Sequence, residues 1–98
     1  MKPVMLYLNN HYSEDITLDM LAEKFYMSKF YICRCFRNAT GLTIHEYIRR
    51  KRLTKVRELK NAGKSISEAA LEAGFHDYSS FYRAYVKEYG NQPRKDLQ

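Results

Sequence analysis

The stretch LAEKFYMSKFYICRCFRNATG at residues 21–41 returns in altered form as AALEAGFHDYSSFYRAYVKEYG at residues 69–90. A shift of 48 positions aligns the first parts of the two stretches and a shift of 49 aligns the second parts, so the second turn is predicted to hold one extra residue. Each copy reads as a helix, a turn and a capped helix, which predicts two helix-turn-helix units. A duplicated structural hairpin is the alternative interpretation. The aligned positions include a cap, an arginine and a glycine: Ser28 with Asp77, Arg34 with Arg83, and Gly41 with Gly90.

Apolar spacing outside the repeat is helical as well, and no segment alternates with the two-residue period of a strand. It indicates a first helix that ends near NNHY at residues 9–12, a long helix from Thr43 to Gly63, and a short helix after Pro93. The sequence therefore predicts an all-α fold of about seven helices. The expected parts are a first helix-turn-helix lobe over residues 1–42, a linker helix over residues 43–62 and a second lobe over residues 63–98.

Positive charge is concentrated in the middle of the chain. Residues 29–60 contain ten Lys and Arg against two acidic residues, which gives +8, whereas the whole chain carries +6. A localised positive field favours a polyanionic partner, with a solvated basic face as the alternative. The run RRKR at residues 49–52 spans a full helical turn, so its four side chains cannot all face one phosphate backbone.

Catalytic and metal chemistry find little support in the sequence. A chain of 98 residues builds only a modest core. His11, His45 and His76 lie in different segments and lack the spacing of metal ligands. We therefore expect no enzymatic activity, no cofactor and no metal. The first ten residues do not resemble a signal peptide, and two cysteines one residue apart do not form a secreted disulfide framework, which favours a cytoplasmic protein.

The second helix of each copy leaves a polar and aromatic face outside its apolar stripe. A helix in the DNA major groove presents such a face to base edges. In the first copy the face consists of Lys29, Phe30, Cys33, Arg34 and Arg37, and in the second it consists of Tyr78, Ser79, Tyr82, Arg83, Val86 and Lys87.

The two aligned arginines are the strongest candidates for base recognition. Arg34 and Arg83 could each bond a guanine in a bidentate manner, while neighbouring cations neutralise phosphates. The alternative is a pair of surface arginines in weak salt bridges. The aromatic residues Phe30, Tyr78 and Tyr82 could contact a thymine methyl group or a sugar, or could pack on the neighbouring helix.

Several motifs in this order resemble the DNA-binding domain of the AraC/XylS family of bacterial transcription regulators. The stretch GFHDYSSFYRAYVKEYGNQP at residues 74–93 is similar to the family signature, and residues 21–41 followed by EYIRRKRL at residues 46–53 resemble the first half. The resemblance covers the chain from about Met5 to Pro93. It implies two homeodomain-like lobes whose recognition helices, about residues 28–40 and 78–89, enter successive major grooves about 34 Å apart.

The resemblance also implies roles for individual residues. Base-reading positions fall on Phe30, Cys33, Arg34, Tyr78, Ser79, Tyr82 and Arg83, and backbone-contacting positions fall on Tyr31 and Ser80. The cations Lys29, Arg37 and Lys87 on the same faces are expected to contact the DNA backbone as well. The implied partners are operator or promoter double-stranded DNA and RNA polymerase. Family members usually carry an effector-sensing or dimerisation domain, so the chain is expected to be a small stand-alone regulator or the C-terminal domain of a longer one.

Two non-enzymatic alternatives remain open. One is a helical protein-interaction module whose basic face meets an acidic partner, and the other is a redox-responsive regulator acting through Cys33. Residues two apart lie about 200° around a helix, so Cys33 and Cys35 are not expected to bond each other or share a metal ion. The repeat pairs Cys35 with Ala84 and predicts a core position there, while Cys33 pairs with Tyr82 on the outer face.

Overall fold

The computed structural model describes residues 1–97, and within them it contains helices and no strand. The helices are α1 (Lys2–His11), α2 (Leu18–Lys24), α3 (Lys29–Thr40), α4 (Ile44–Asn61), α5 (Ile66–Ala73), α6 (Tyr78–Tyr89) and α7 (Pro93–Asp96). The all-α prediction of about seven helices in two helix-turn-helix lobes is confirmed.

Both helix-turn-helix hairpins begin their helices at side-chain caps, because the first backbone N–H groups of a helix have no partner within it. In α2 and α5 the N–H groups of the third residues donate to Thr17 and Ser65, at 3.1 and 3.2 Å. In α3 and α6 the corresponding N–H groups donate to Ser28 at 3.1 Å and to Asp77 at 2.7 Å. The caps keep the spacings of 48 and 49 positions that the repeat predicts.

The turns of the two hairpins share one hydrogen-bond pattern. The N–H groups of Met27 and Phe75 donate to the carbonyl groups five residues earlier, at 3.0 Å in both turns, as in a Schellman motif. The residue before each donor is left-handed: Tyr26 with φ +55° and Gly74 with φ +114°. One residue separates Tyr26 from the next cap and two separate Gly74 from its cap, so the predicted extra residue lies in the second turn.

The chain forms two compact units, Met1–Ile48 and a second that begins at Arg49, with the division inside α4. Each unit has its own apolar cluster. The first contains Val4, Leu8, Leu21, Ile32, Phe36, Ile44 and Ile48, and the second contains Leu53, Val56, Ala69, Ala70, Ala73, Phe75, Phe81, Ala84 and Tyr85. Two pairs of repeat-equivalent residues in α3 and α6 are fully buried: Ile32 with Phe81, and Phe36 with Tyr85. Because these faces point into the cores, the opposite faces of both helices point to solvent.

Candidate nucleic-acid interface

The outer face of α3 presents an arginine held against an aromatic ring. Phe30 is 73% exposed, and the guanidinium carbon of Arg34 lies 4.9 Å from the centre of its ring. Phe30 thus does not pack into the core, and its contact with Arg34 favours a cation–π interaction. Arg34 and Arg37 are both exposed. The structure therefore brings the predicted Phe30 and Arg34 together on one accessible surface.

Two further predicted backbone-contacting residues of α3 have partners within the chain. The Nζ atom of Lys29 lies 3.0 Å from the Asp19 carboxylate, and both side chains are exposed, so this ion pair is weak. The interaction with the neighbouring Cys35 side chain raises the pKa of the Tyr31 hydroxyl. The Tyr31 side chain is also exposed, and a phenol hydroxyl, which is protonated at neutral pH, can donate to a phosphate oxygen.

The prediction that places Cys35 in the core is wrong. Both cysteines are half-buried, and Cys33 packs against the first apolar cluster. Cys33 also lines a groove of about 470 Å³ together with Leu18 and Ile44. Because Ile32 and Phe36 point into the core, the adjacent Cys33 and Cys35 lie on either side of the buried face, and each is only partly covered. The pairing of Cys35 with Ala84 in the repeat did not reveal this partial exposure.

The outer face of α6 combines exposed polar residues with half-buried tyrosines. Ser79, Arg83 and Lys87 are exposed, while Ser80 is half-buried. Tyr78 packs against the second apolar cluster, and its ring centre lies 5.7 Å from that of Phe81 and 6.3 Å from that of Tyr82. Packing and base contact were the two roles that the sequence allowed for Tyr78, and the structure shows the packing contact. Arg83, in contrast, is exposed.

The N-terminal cap of α6 is a charged carboxylate, whereas that of α3 is a neutral hydroxyl. The pKa of Asp77 is lowered chiefly by its hydrogen bonds with Ser80 and, to a smaller extent, by the charge of Arg83. The equivalent cap of α3 is the neutral Ser28. The two arginines that the repeat aligns thus lie in different surroundings.

Two arginines in the basic run of α4, Arg50 and Arg52, contact other residues of the protein. The Nε atom of Arg49 is buried and lacks a hydrogen-bond partner among residues 1–97. The Nε atom of Arg50 lies 2.6 Å from the Glu88 carboxylate, and the guanidinium of Arg52 lies 5.9 Å from the ring centre of Phe75. These contacts leave the exposed arginines of α3 and α6 as the stronger candidates for a polyanion.

A network behind α6 was not found from the sequence. The Tyr85 hydroxyl donates to the Asp96 carboxylate at 2.8 Å and accepts from Arg57 at 3.4 Å. The Arg57 guanidinium also lies 4.3 Å from the ring centre of Tyr89. These contacts join α4, α6 and α7 and hold the recognition helix from its inner side. Their only sequence signal is the aromatic pair in α6, which does not identify its partners.

Over residues 1–97, no three His, Cys, Asp or Glu side chains are grouped so that they could hold a metal ion. Within the same part of the chain, none of the helices is long and apolar enough to span a membrane.

Comparisons with known proteins identify the family. Residues 21–98 match the family described as a helix-turn-helix domain. The Tn10 TetD protein of Escherichia coli is 38% identical over 85 residues, which cover 86% of this chain and 62% of TetD. The transcriptional activator RhaS of Salmonella arizonae is 33% identical over 92 residues, which cover 93% of this chain and 33% of RhaS. The chain thus spans less than two thirds of these relatives.

A solved structure shares the same fold. The DNA-binding domain of AdpA, the global transcriptional factor, in complex with a target DNA aligns with a TM-score of 0.88, covering 98% of this chain and 87% of that chain at 23% identity. At this identity the match shows a shared fold, and the family follows from the match over residues 21–98. The chain therefore belongs to the AraC-type helix-turn-helix family of transcription regulators.

Proposed function

We propose that the chain is the DNA-binding domain of a bacterial transcription regulator and that it binds double-stranded DNA sequence-specifically. The observation that carries the proposal is the matched exposure of Arg34 and Arg83 on the second helices of the two hairpins. On each helix the opposite face is anchored in a core, so the arginine side remains available to a major groove. The relative RhaS, a transcriptional activator, and the DNA-bound AdpA domain support this function.

The proposed contacts divide into base reading and backbone neutralisation. Base reading is assigned to Phe30, Cys33, Arg34, Tyr78, Ser79, Tyr82 and Arg83, and backbone contact to Lys29, Tyr31, Arg37, Ser80 and Lys87. In this proposal residues 1–42 and 63–98 act as the two reading lobes, with residues 43–62 as the linker helix. The two recognition helices would occupy successive major grooves, about 34 Å apart on one face of the DNA.

We propose a cytoplasmic, non-enzymatic regulator that meets RNA polymerase at promoters. The greater length of RhaS, of which the matched residues cover 33%, supports an effector-sensing or dimerisation domain as a further partner of the DNA-binding domain.

Salt dependence combined with sequence preference tests the proposal. A duplex obtained by selection from random DNA and a scrambled duplex of equal composition would be compared by fluorescence anisotropy at several salt concentrations. Phosphate contacts from Lys29, Arg37 and Lys87 predict a slope of log K against log salt of about −3. Lys87→Ala should reduce the magnitude of that slope by about 1 and leave the preference between duplexes intact.

A protein-interaction module with a basic face would give another result. It would bind both duplexes equally, because electrostatic attraction carries no sequence information. Equal affinity for the selected and the scrambled duplex would therefore refute the proposed function, whatever the salt slope.

A further inference from the structure

The two recognition helices hold their aligned arginines by different means. In α3, Phe30 lies one helical turn before Arg34, and the guanidinium rests 4.9 Å from the centre of its ring. The shift of 49 positions places Ser79 where the first copy has Phe30. A serine side chain offers no aromatic face, so Arg83 lacks the equivalent support from one turn earlier. The repeat thus supplies an internal comparison between a stacked and an unstacked arginine.

The caps of the two helices differ in a complementary way. Asp77 caps α6 and interacts with the charge of Arg83, whereas neutral Ser28 caps α3. Arg83 acts on Asp77 through its charge and not through a hydrogen bond. Such an attraction depends mainly on distance, so it does not fix the plane of the guanidinium. An aromatic face, in contrast, fixes the plane of the guanidinium and leaves the N–H groups at its edge available.

Orientation matters because bidentate recognition of guanine needs both an acceptor at O6 and an acceptor at N7 in the plane of the arginine fork. Arginine loses considerable rotamer freedom when it is fixed, and a prior contact with Phe30 lowers that loss on binding. The exposed Phe30 ring, whose partner is Arg34, is suited to this task.

We infer that Phe30 is a positioning residue for Arg34, so that α3 discriminates guanine at its half-site more strongly than α6 does. This inference rests on the proposed function, because it concerns how the same DNA-reading face obtains its specificity. It changes the role of Phe30 from a base contact of its own to a support for the neighbouring arginine. Ser79 then marks the place where the second lobe lacks that support.

A double-mutant cycle on the full chain tests the inference. The selected duplex would carry guanine or 7-deazaguanine, which lacks the N7 acceptor, at the position whose preference is lost in Arg34→Ala. Wild-type protein is expected to bind the 7-deazaguanine duplex about fivefold more weakly, which corresponds to one lost hydrogen bond. Phe30→Ser should reduce this ratio to about twofold or less. In the Arg34→Ala background, Phe30→Ser should leave the ratio unchanged, because no guanidinium remains to be positioned.

Two further variants serve as matched controls. Phe30→Tyr keeps the aromatic face and should retain most of the discrimination. Ser79→Phe builds the missing face in α6 and should increase discrimination at the second half-site. Both substitutions are at positions that are exposed, and circular dichroism would verify the fold.

The outcomes separate this inference from the function on which it rests. If Phe30→Ser weakens binding by the same factor with and without Arg34, Phe30 contacts the DNA independently and the positioning role is wrong. If wild-type protein selects no sequence from random DNA, the proposed function and the inference both fall.

Discussion

The left-handed residue in the first hairpin turn leads to a prediction about stability. Tyr26 has φ +55°, although its repeat equivalent is Gly74 and side chains strain this backbone region. The Tyr26 side chain is 96% exposed, so removing it sacrifices almost no packing. Tyr26→Gly should therefore stabilise the chain, an unusual result for a substitution that deletes an aromatic side chain.

The expected gain is a difference between two opposing effects. A left-handed conformation costs a non-glycine residue roughly 1–2 kcal/mol in the folded state. Glycine in turn loses about 0.4–1 kcal/mol more conformational free energy on folding than alanine does. The net stabilisation is about 0.5 kcal/mol, which for a domain of this size raises the melting temperature by about 2 °C.

Urea and thermal unfolding followed by far-ultraviolet circular dichroism would measure this gain. Tyr26→Ala is the matched control, since it removes the same ring but keeps the Cβ atom and therefore the strain. Gly74→Ala should be destabilising by about 1 kcal/mol, because φ +114° lies even further from conformations that alanine accepts. A Tyr26→Gly variant no more stable than Tyr26→Ala would refute the assignment of backbone strain to this turn.

Three other predictions concern the second lobe and the cysteines. Tyr85→Phe keeps the buried ring but removes the hydroxyl that donates to Asp96, so the free energy of unfolding in urea should fall by about 0.5–1.5 kcal/mol; an unchanged value would show that this network contributes nothing. The pKa of Asp77 is lowered by its capping hydrogen bonds, so its stabilisation should be present above the unfolded pKa of about 3.9 and lost as pH falls through the lower folded pKa. Asp77→Asn should therefore make unfolding midpoints depend less on pH between about 5 and 2, and identical profiles would contradict this cause. Mild oxidation should form no disulfide between Cys33 and Cys35, because helix geometry keeps the two thiols apart, and mass spectrometry would detect such a bond; a reversible loss of DNA affinity on oxidation that Cys33→Ser abolishes would instead favour the redox-responsive alternative.

Local features of this fold were predictable because they depend on short stretches of sequence. Ser28 and Asp77 mark helix starts, and Gly41 and Gly90 mark helix ends with φ +78° and +75°. Capping and left-handed termination involve residues within a few positions of each other, so one sequence contains all the information. The internal repeat then made it possible to predict which faces of α3 and α6 are buried.

Side-chain partners that lie far apart in sequence were not predictable in the same way. The contacts of Tyr85 with Arg57 and Asp96 depend on how three helices pack, and the partial burial of both cysteines depends on a small rotation of α3. The contact between Phe30 and Arg34 is local, but several rotamers of each side chain are compatible with a helix, so spacing alone did not select the stacked arrangement.

Reading of separate half-sites by the two arginines is the central claim, and binding-site selection from random duplexes tests it most directly. Wild-type protein should return two conserved half-sites about one helical turn apart. Arg34→Ala and Arg83→Ala should each cost about 1–3 kcal/mol of binding free energy, and each should relax the base preference of one half-site while leaving the other intact. Loss of preference at the same position in both variants, or at neither, would contradict the account.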